Sequence, residues 1–190
     1  MMQTGMKTHV TRTPLEGLLV INIDHFRDER GFFLESWNKR SFAEAGILDE
    51  FVQDSHSASG YGVLRGLHYQ DMSAPMAKLV RCTVGQIFDV AVDLRTSSPT
   101  FGRAFSIELT AENKSLLYVP VGFAHGFATL TDTCEVQYKQ TGFYSPTAEG
   151  GIAWNDPDVD ISWPYGTPIL SGKDQKQPSL AEYRKNPAFR

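Results

Sequence analysis

Short hydrophobic runs, separated at close intervals by turn residues, limit the folds open to this chain more than any other feature of its sequence. Within several of these runs apolar and polar residues alternate, as in residues 87–93, 105–109 and 136–139. Such a period of two is typical of strands that bury one face. Many short strands joined by turns rich in Gly and Pro predict an all-β protein, either a sandwich or a barrel.

Helical signals are sparse and occur at two points of the chain. Residues 38–46 predict a short helix, with Asn38 or Ser41 able to cap its start and Gly46 able to end it. A second short helix is predicted over residues 179–185. We therefore expect a few helical turns attached to an all-β domain.

The composition predicts one domain spanning residues 1–190, because 41% of the residues are hydrophobic and no linker or repeat divides the chain. The net charge of −4, without a basic run, argues against a nucleic-acid partner. No segment approaches the roughly 20 apolar residues that cross a bilayer, and the N-terminus lacks the apolar stretch of a secretion signal. We expect a soluble, cytoplasmic protein with no membrane partner.

The two cysteines, Cys82 and Cys134, lie far apart and form no C-x-x-C pair. This spacing favours two reduced thiols buried in strands, as in cytoplasmic proteins. A structural disulfide or a catalytic thiol remains the alternative at this point.

Two histidines occur in unusual surroundings. His68 follows Arg65 in the strand-like run 64–70, but an odd separation places the two side chains on opposite faces unless Gly66 introduces an irregularity. His125 lies among small and apolar residues that permit close approach of the backbone. The sequence has no His-x-His pair, so we do not expect a metal site.

Other polar residues acquire chemical interest only if they face a cavity. Lys78 is by default a solvated charge, but in a cavity it would stabilise developing negative charge. Tyr138 and Tyr144 are by default core residues, although a phenol can donate a proton or stack on a ring. Asp174 is by default a surface carboxylate that would matter only beside a histidine. Hydrolase, phosphotransferase and dehydrogenase motifs are absent from the sequence.

An ordered set of motifs resembles the dTDP-4-dehydrorhamnose 3,5-epimerase family over about residues 15–175. The set comprises DERGFFLE (28–35), FVQDSHS (51–57), VLRGLHYQ (63–70), KLVRC (78–82), FDVAVD (88–93), SPTFG (98–102), VPVGFAHGF (119–127), WNDP (154–157) and LSGKD (170–174). Each block is weak by itself, whereas the set in this order is specific.

The resemblance implies a cupin-like β-barrel (jelly roll) of two antiparallel sheets with a few short helices, working as a homodimer without metal or cofactor. It implies dTDP-4-dehydro-6-deoxy-D-glucose, a dTDP-linked 4-keto-6-deoxyhexose, as substrate and dTDP-4-dehydro-L-rhamnose as product. His68 would be the catalytic base and Asp174 its partner. Tyr138 would be the proton donor, and Lys78 would stabilise the enolate.

Further positions would bind the substrate. Arg65 would hold the diphosphate, His125 the sugar, and Tyr144 would stack on thymine. The remaining matched positions are Arg30, Glu35, Gln53, Glu149 and Lys173, with Phe26 near the nucleotide. The family shares its early strand across the dimer, so Arg30 and Phe26 would serve the neighbouring subunit's site.

One position departs from the family pattern. Ser55 stands where Asn is usual, and it keeps a donor and an acceptor on a shorter side chain. The alternatives left open are an epimerase acting at C3 or C5 alone, an isomerase that moves the ketone from C4 to C3, and a non-catalytic sugar-nucleotide-binding barrel.

Overall fold

A computed structural model describes residues 7–190, and strands dominate it. The strands are β1 (Thr8–Arg12), β2 (Leu19–Ile23), β3 (His25–Asp28), β4 (Gly31–Leu34), β5 (Gln53–Ser59), β6 (Leu64–Gln70), β7 (Lys78–Val84), β8 (Gln86–Asp93), β9 (Ala104–Thr110), β10 (Leu116–Val119), β11 (Phe123–Thr129), β12 (Cys134–Gln140) and β13 (Glu149–Gly151). The helices are α1 (Lys39–Glu44) and α2 (Leu180–Lys185), with a 3₁₀ turn at Asp174–Lys176.

Two antiparallel sheets form the body of the protein. The first has the strand order β1-β2-β10-β7-β12-β5, and the second has the order β13-β6-β11-β8-β9. Their inner faces share one apolar core, to which Leu117 and Val136 contribute from the first sheet and Ile87 and Phe127 from the second. The prediction of an all-β fold with two antiparallel sheets and few short helices is confirmed.

Strands β3 and β4 form a separate two-stranded ribbon. Phe26 and Phe33 are paired across it, and Phe32 lies on the opposite face, where the Lys114 ammonium is 4.2 Å from its ring. Phe26, Phe33 and Phe32 are all more than half exposed, at 52%, 68% and 57%. The ribbon therefore presents aromatic side chains to solvent on both faces in this chain.

Both predicted helices form, and each covers the outer face of a sheet. The Asn38 side chain accepts hydrogen bonds from the first turn of α1, which buries Phe42 against the first sheet. Ser179 and Glu182 form a capping box at the start of α2, which buries Leu180 against the second sheet. Both helices lie inside the predicted ranges and are slightly shorter.

Strand β8 differs from the predicted pattern, because two of its polar residues are buried as completely as the apolar residues between them. Asp89 and Asp93 are both fully buried. The strand lies between β11 and β9 and is covered on both faces, so alternation does not report exposure here. Asp93 accepts hydrogen bonds from Arg95, Ser98 and Thr100, which offset the cost of burying its charge.

Cys82 in β7 and Cys134 in β12 are free and buried, as the sequence predicts. Burial raises the pKa of the Cys82 thiol to about 12, so this thiol is not a nucleophile at neutral pH.

Among the described helices, neither α1 nor α2 has the length or apolarity to cross a bilayer.

Candidate active site

A cavity of about 500 Å³ opens between the two sheets. Its walls come from β5, β7 and β12 of the first sheet, from β6, β11 and β13 of the second, and from the segment that follows them. The predicted site residues that line it are Gln53, Ser55, Arg65, His68, Lys78, His125, Tyr138, Tyr144, Glu149, Lys173 and Asp174. Residues from distant parts of the sequence thus converge on one volume.

A histidine–carboxylate pair forms one wall of this cavity. His68 Nε2 lies 2.5 Å from Asp174 Oδ1, although the two residues are 106 positions apart in sequence. Asp174 is buried, and Ser171 accepts a hydrogen bond from its backbone N–H. Because the carboxylate holds Nε2, Nδ1 is the ring nitrogen available to take a proton from a ligand.

The Asp174 carboxyl remains ionised despite its burial. Burial by itself raises the pKa of this group, but hydrogen bonds from His68, Ser171 and the Gly66 backbone outweigh it and lower the pKa below the usual value. An ionised carboxylate stabilises the imidazolium that forms when His68 takes a proton.

In a regular strand Arg65 and His68 would point to opposite faces, yet both side chains line the same cavity. An irregularity at Gly66 accounts for this. Gly66 has a φ of +131°, and the pairing of β6 with β11 shifts register between His125 and Phe127. A Cβ at position 66 would lie 2.5 Å from Gly126 Cα, so the two backbones approach closely. The irregularity that the sequence allowed at Gly66 is present.

Lys78 projects into the cavity from β7. Burial lowers the pKa of its ammonium to about 8, although the negative charges of Asp89 and Glu149 oppose this change and the positive charge of Lys173 adds to it. A desolvated cation close to its pKa interacts strongly with negative charge that develops nearby. The default interpretation of Lys78 as a solvated surface charge is therefore wrong.

His125 is also paired with a carboxylate. Its Nε2 lies 2.8 Å from Asp89 Oδ1, and both side chains are buried. The other oxygen of Asp89 has no hydrogen-bond partner within residues 7–190. Asp89 was not selected from the sequence, because its position in an alternating strand suggested a solvent-facing residue.

Tyr144, Glu149 and Lys173 form a polar chain at the rim. The Tyr144 hydroxyl donates to Glu149 Oε2 at 2.9 Å, and Lys173 forms an ion pair with the same carboxylate. Burial raises the pKa of Glu149, but the bonds from Lys173 and Tyr144 outweigh this and lower it. More than half of Tyr144 is exposed, which leaves its ring accessible to a planar group.

Three side chains form a network on the β5–β12 side of the cavity. Gln140 Oε1 accepts from Gln53 Nε2 at 2.8 Å and from Ser55 Oγ at 2.7 Å. Gln53 Nε2 also lies 3.3 Å from Ser55 Oγ. Gln140 was not selected from the sequence, yet it stands two residues after Tyr138, and the strand period would place both on one face. Gln70, two residues after His68, lines the cavity for the same reason.

Phe26, Arg30 and Glu35 do not line this cavity. The first two belong to the β3–β4 ribbon and the turn that joins its strands, and Glu35 follows β4 directly. Arg30 Nη2 lies 2.5 Å from Asp28 Oδ2 at the ribbon turn. Their assignment to substrate binding stays a prediction that requires a second subunit.

No group of three or more His, Cys, Asp or Glu side chains within residues 7–190 is arranged to hold a metal ion. His68 and His125 each engage a single carboxylate. The expectation of chemistry without metal or cofactor stays a prediction.

Comparisons with known proteins place the chain in one family. The family model described as dTDP-4-dehydrorhamnose 3,5-epimerase matches residues 12–182. The enzyme of that name from Shigella flexneri is 53% identical over 167 residues, which are 87% of this chain and 92% of the relative. A dTDP-6-deoxy-D-glucose-3,5-epimerase from Legionella pneumophila, solved with dTDP-4-keto-L-rhamnose, is 43% identical with a TM-score of 0.88, covering 93% of this chain and 94% of that one.

A more distant relative carries a different activity in its name. The dTDP-4-dehydrorhamnose 3-epimerase of Streptomyces niveus is 39% identical over 171 residues, which are 90% of this chain and 83% of the relative.

Proposed function

The chain belongs to the dTDP-4-dehydrorhamnose 3,5-epimerase family, and from this premise we propose that it converts dTDP-4-dehydro-6-deoxy-D-glucose to dTDP-4-dehydro-L-rhamnose. The observation that carries the proposal is the His68–Asp174 pair in one cavity with Lys78 and Tyr138. These groups suit the removal and return of a proton at a carbon beside a ketone.

Proton removal is assigned to His68. Its Nδ1 takes the proton from C3 or C5, and the electron pair of the broken C–H bond moves toward the C4 ketone, whose oxygen becomes an enolate. Asp174 stabilises the imidazolium through Nε2, which it contacts at 2.5 Å. The Lys78 ammonium stabilises the enolate oxygen, and because that charge exists only after proton removal, the interaction acts mainly in the transition state.

Proton return is assigned to Tyr138. This residue lies in the first sheet and His68 in the second, so the two face the cavity from different walls. A proton delivered by the phenol to the carbon face opposite His68 inverts the centre. Exchange with solvent then returns a proton to the tyrosine and removes one from the histidine, which balances the cycle.

The nucleotide is assigned to the rim of the cavity. Arg65 is exposed there and can pair with the diphosphate, while Tyr144 offers its ring to thymine. Glu149, Lys173, Gln53 and His125 complete the polar lining around the sugar.

The site is completed in this proposal by a second copy of the chain. Strand β5 is one of the two edge strands of the first sheet, and it runs beside the cavity through Gln53 and Ser55. The β3–β4 ribbon exposes aromatic rings that a second copy would bury. Addition of the ribbon to the partner's β5 edge would bring Phe26, Arg30 and Glu35 toward the partner's cavity.

The test is proton NMR of the substrate with the enzyme in deuterated water, with a reductase to trap the product. Deuterium at both C3 and C5, together with dTDP-L-rhamnose, is the expected result. Uptake of deuterium at neither carbon by folded enzyme would contradict the proposal and favour a binding protein.

A second candidate is epimerisation at one carbon. The Streptomyces niveus relative, named for action at C3, favours it, as does Ser55 in place of the usual Asn. Deuterium at C3 alone in the same NMR experiment would assign this chain to that activity.

A further inference from the structure

The network of Gln53, Ser55 and Gln140 has only one arrangement of donors and acceptors. The backbone N–H of Tyr144 donates to Gln53 Oε1 at 3.2 Å, and a backbone N–H can only donate. This contact fixes the Gln53 amide with Nε2 toward Gln140. Since Nε2 only donates, the Gln140 atom that faces it at 2.8 Å must be the oxygen.

A second anchor at the other end of the network agrees with the first. Gln140 Nε2 lies 3.0 Å from Met76 Sδ, and a thioether sulfur can only accept. Gln140 and Met76 are both buried, at 6% and 7% exposed, so water does not compete for these contacts. The Gln140 amide is therefore held from both sides, and its oxygen points toward Ser55.

The fixed Gln140 amide determines the orientation of the Ser55 hydroxyl. Its hydroxyl proton is directed to Gln140 Oε1 at 2.7 Å, and one lone pair faces Gln53 Nε2 at 3.3 Å. A hydroxyl has one proton and two lone pairs, so Ser55 can offer a ligand in the cavity only an acceptor. An Asn at this position could turn its amide and offer a donor instead.

We infer that Gln140 is a positioning residue that makes Ser55 an acceptor for one ring hydroxyl of the sugar and thereby keeps the ketone oxygen away from it. This inference rests on the proposed function. A ketone oxygen only accepts, so it would be repelled at Ser55 and favoured at Lys78, which only donates. Ser55 in β5 and Lys78 in β7 lie on opposite sides of β12, which pairs with both strands, so the two complementary positions are separated by one strand.

The test compares the parent sugar nucleotide with its 2-deoxy and 3-deoxy analogues, using deuterium uptake at C5 because all three retain that carbon. The wild-type enzyme is expected to lose about tenfold in kcat/KM on one analogue, the effect of one hydrogen bond. Ser55→Ala should lose a similar factor on the parent sugar and nothing further on that analogue.

Variants at Gln140 separate a positioning role from a structural one. Gln140→Met and Gln140→Leu remove the acceptor, and either should reduce the discrimination between parent and analogue although Ser55 is retained, because the Ser55 proton is then free to turn toward the ligand. Gln140→Glu should restore it, because a carboxylate oxygen again accepts from Ser55. Circular dichroism identifies which apolar variant is folded.

An undiminished preference for the hydroxyl in a folded apolar variant would overturn the inference, as would a wild-type enzyme that treats both analogues like the parent. Turnover of the parent sugar is recorded in the same samples, so a failure of the proposed activity is seen separately from a failure of the hydroxyl preference.

Discussion

At the scale of single residues, His68 has the most demanding proposed role, that of the base that removes the proton. General acid–base groups contribute about 10²–10⁴-fold, so His68→Ala is expected to lower kcat by that factor. The fold should persist, because the side chain is partly exposed and packs at a cavity wall. His9→Ala removes an exposed histidine far from the cavity and serves as the matched control. Turnover by His68→Ala at the control's rate would remove the base assignment.

Tyr138 has a role that can be separated from that of His68. Tyr138→Phe leaves the base intact but lacks the proton for the opposite face. Deuterium should still enter the recovered starting sugar, because His68 can return a deuteron to the face from which it took the proton. Inverted product should fall sharply, as NMR with the coupled reductase will show. A parallel fall in exchange and inversion would speak against a separate donor.

Lys78 is expected to set an upper pH limit on activity. Its pKa is lowered from 10.5 to about 8, so the ammonium loses its charge as the pH rises through about 8. Because kcat/KM reports the free enzyme, it should fall above this pH and stay level just below it. Lys78→Arg keeps its charge at every accessible pH, so its residual activity should lack this limit. An unchanged limit in that variant would assign it to another group.

At the scale of elements, the irregularity in β6 positions His68, the proposed base. Gly66→Ala adds a Cβ that meets the Gly126 backbone at 2.5 Å, at a φ of +131° that L-residues rarely adopt. We expect a loss of about 1–3 kcal/mol in the free energy of unfolding, together with reduced activity from a displaced His68. Gly166→Ala, whose Cβ meets nothing within 4 Å, is the control. Urea denaturation of both variants would reveal equal stability if the close approach were unimportant.

Local sequence signals predicted the strands and helices better than they predicted which strands pair with one another. Alternation identified β9 and β12, and the capping residue Asn38 placed the first helix. Alternation cannot state that β12 lies between β7 and β5, because strand order depends on packing across the whole chain. The same limit applies to His68 and Asp174, whose contact spans 106 positions and was expected only through the family resemblance.

At the scale of the whole molecule, the aromatic ribbon predicts self-association. Phe33 is 68% exposed, and Phe33→Asp would place a charge where a second copy is proposed to pack. We expect this variant to be monomeric in light scattering and less active at low protein concentration, because its ribbon no longer reaches a partner's site. Met72→Asp alters an exposed residue elsewhere and should leave the mass unchanged. A wild-type monomer with full activity would contradict the shared site.

The position of Asp174 near the C-terminal end of the chain has a consequence for the synthesis of the protein. Both sheets are complete once residue 151 has been made, yet the carboxylate that orients the base lies beyond them. A chain that stops after β13 would hold every strand and still lack the partner of His68, together with Lys173 at the rim. If Asp174 supports His68 as proposed, chains released early by the ribosome, or trimmed by a protease after β13, are expected to lack activity. Synthesis of the final segment would then be the step that completes the catalytic site.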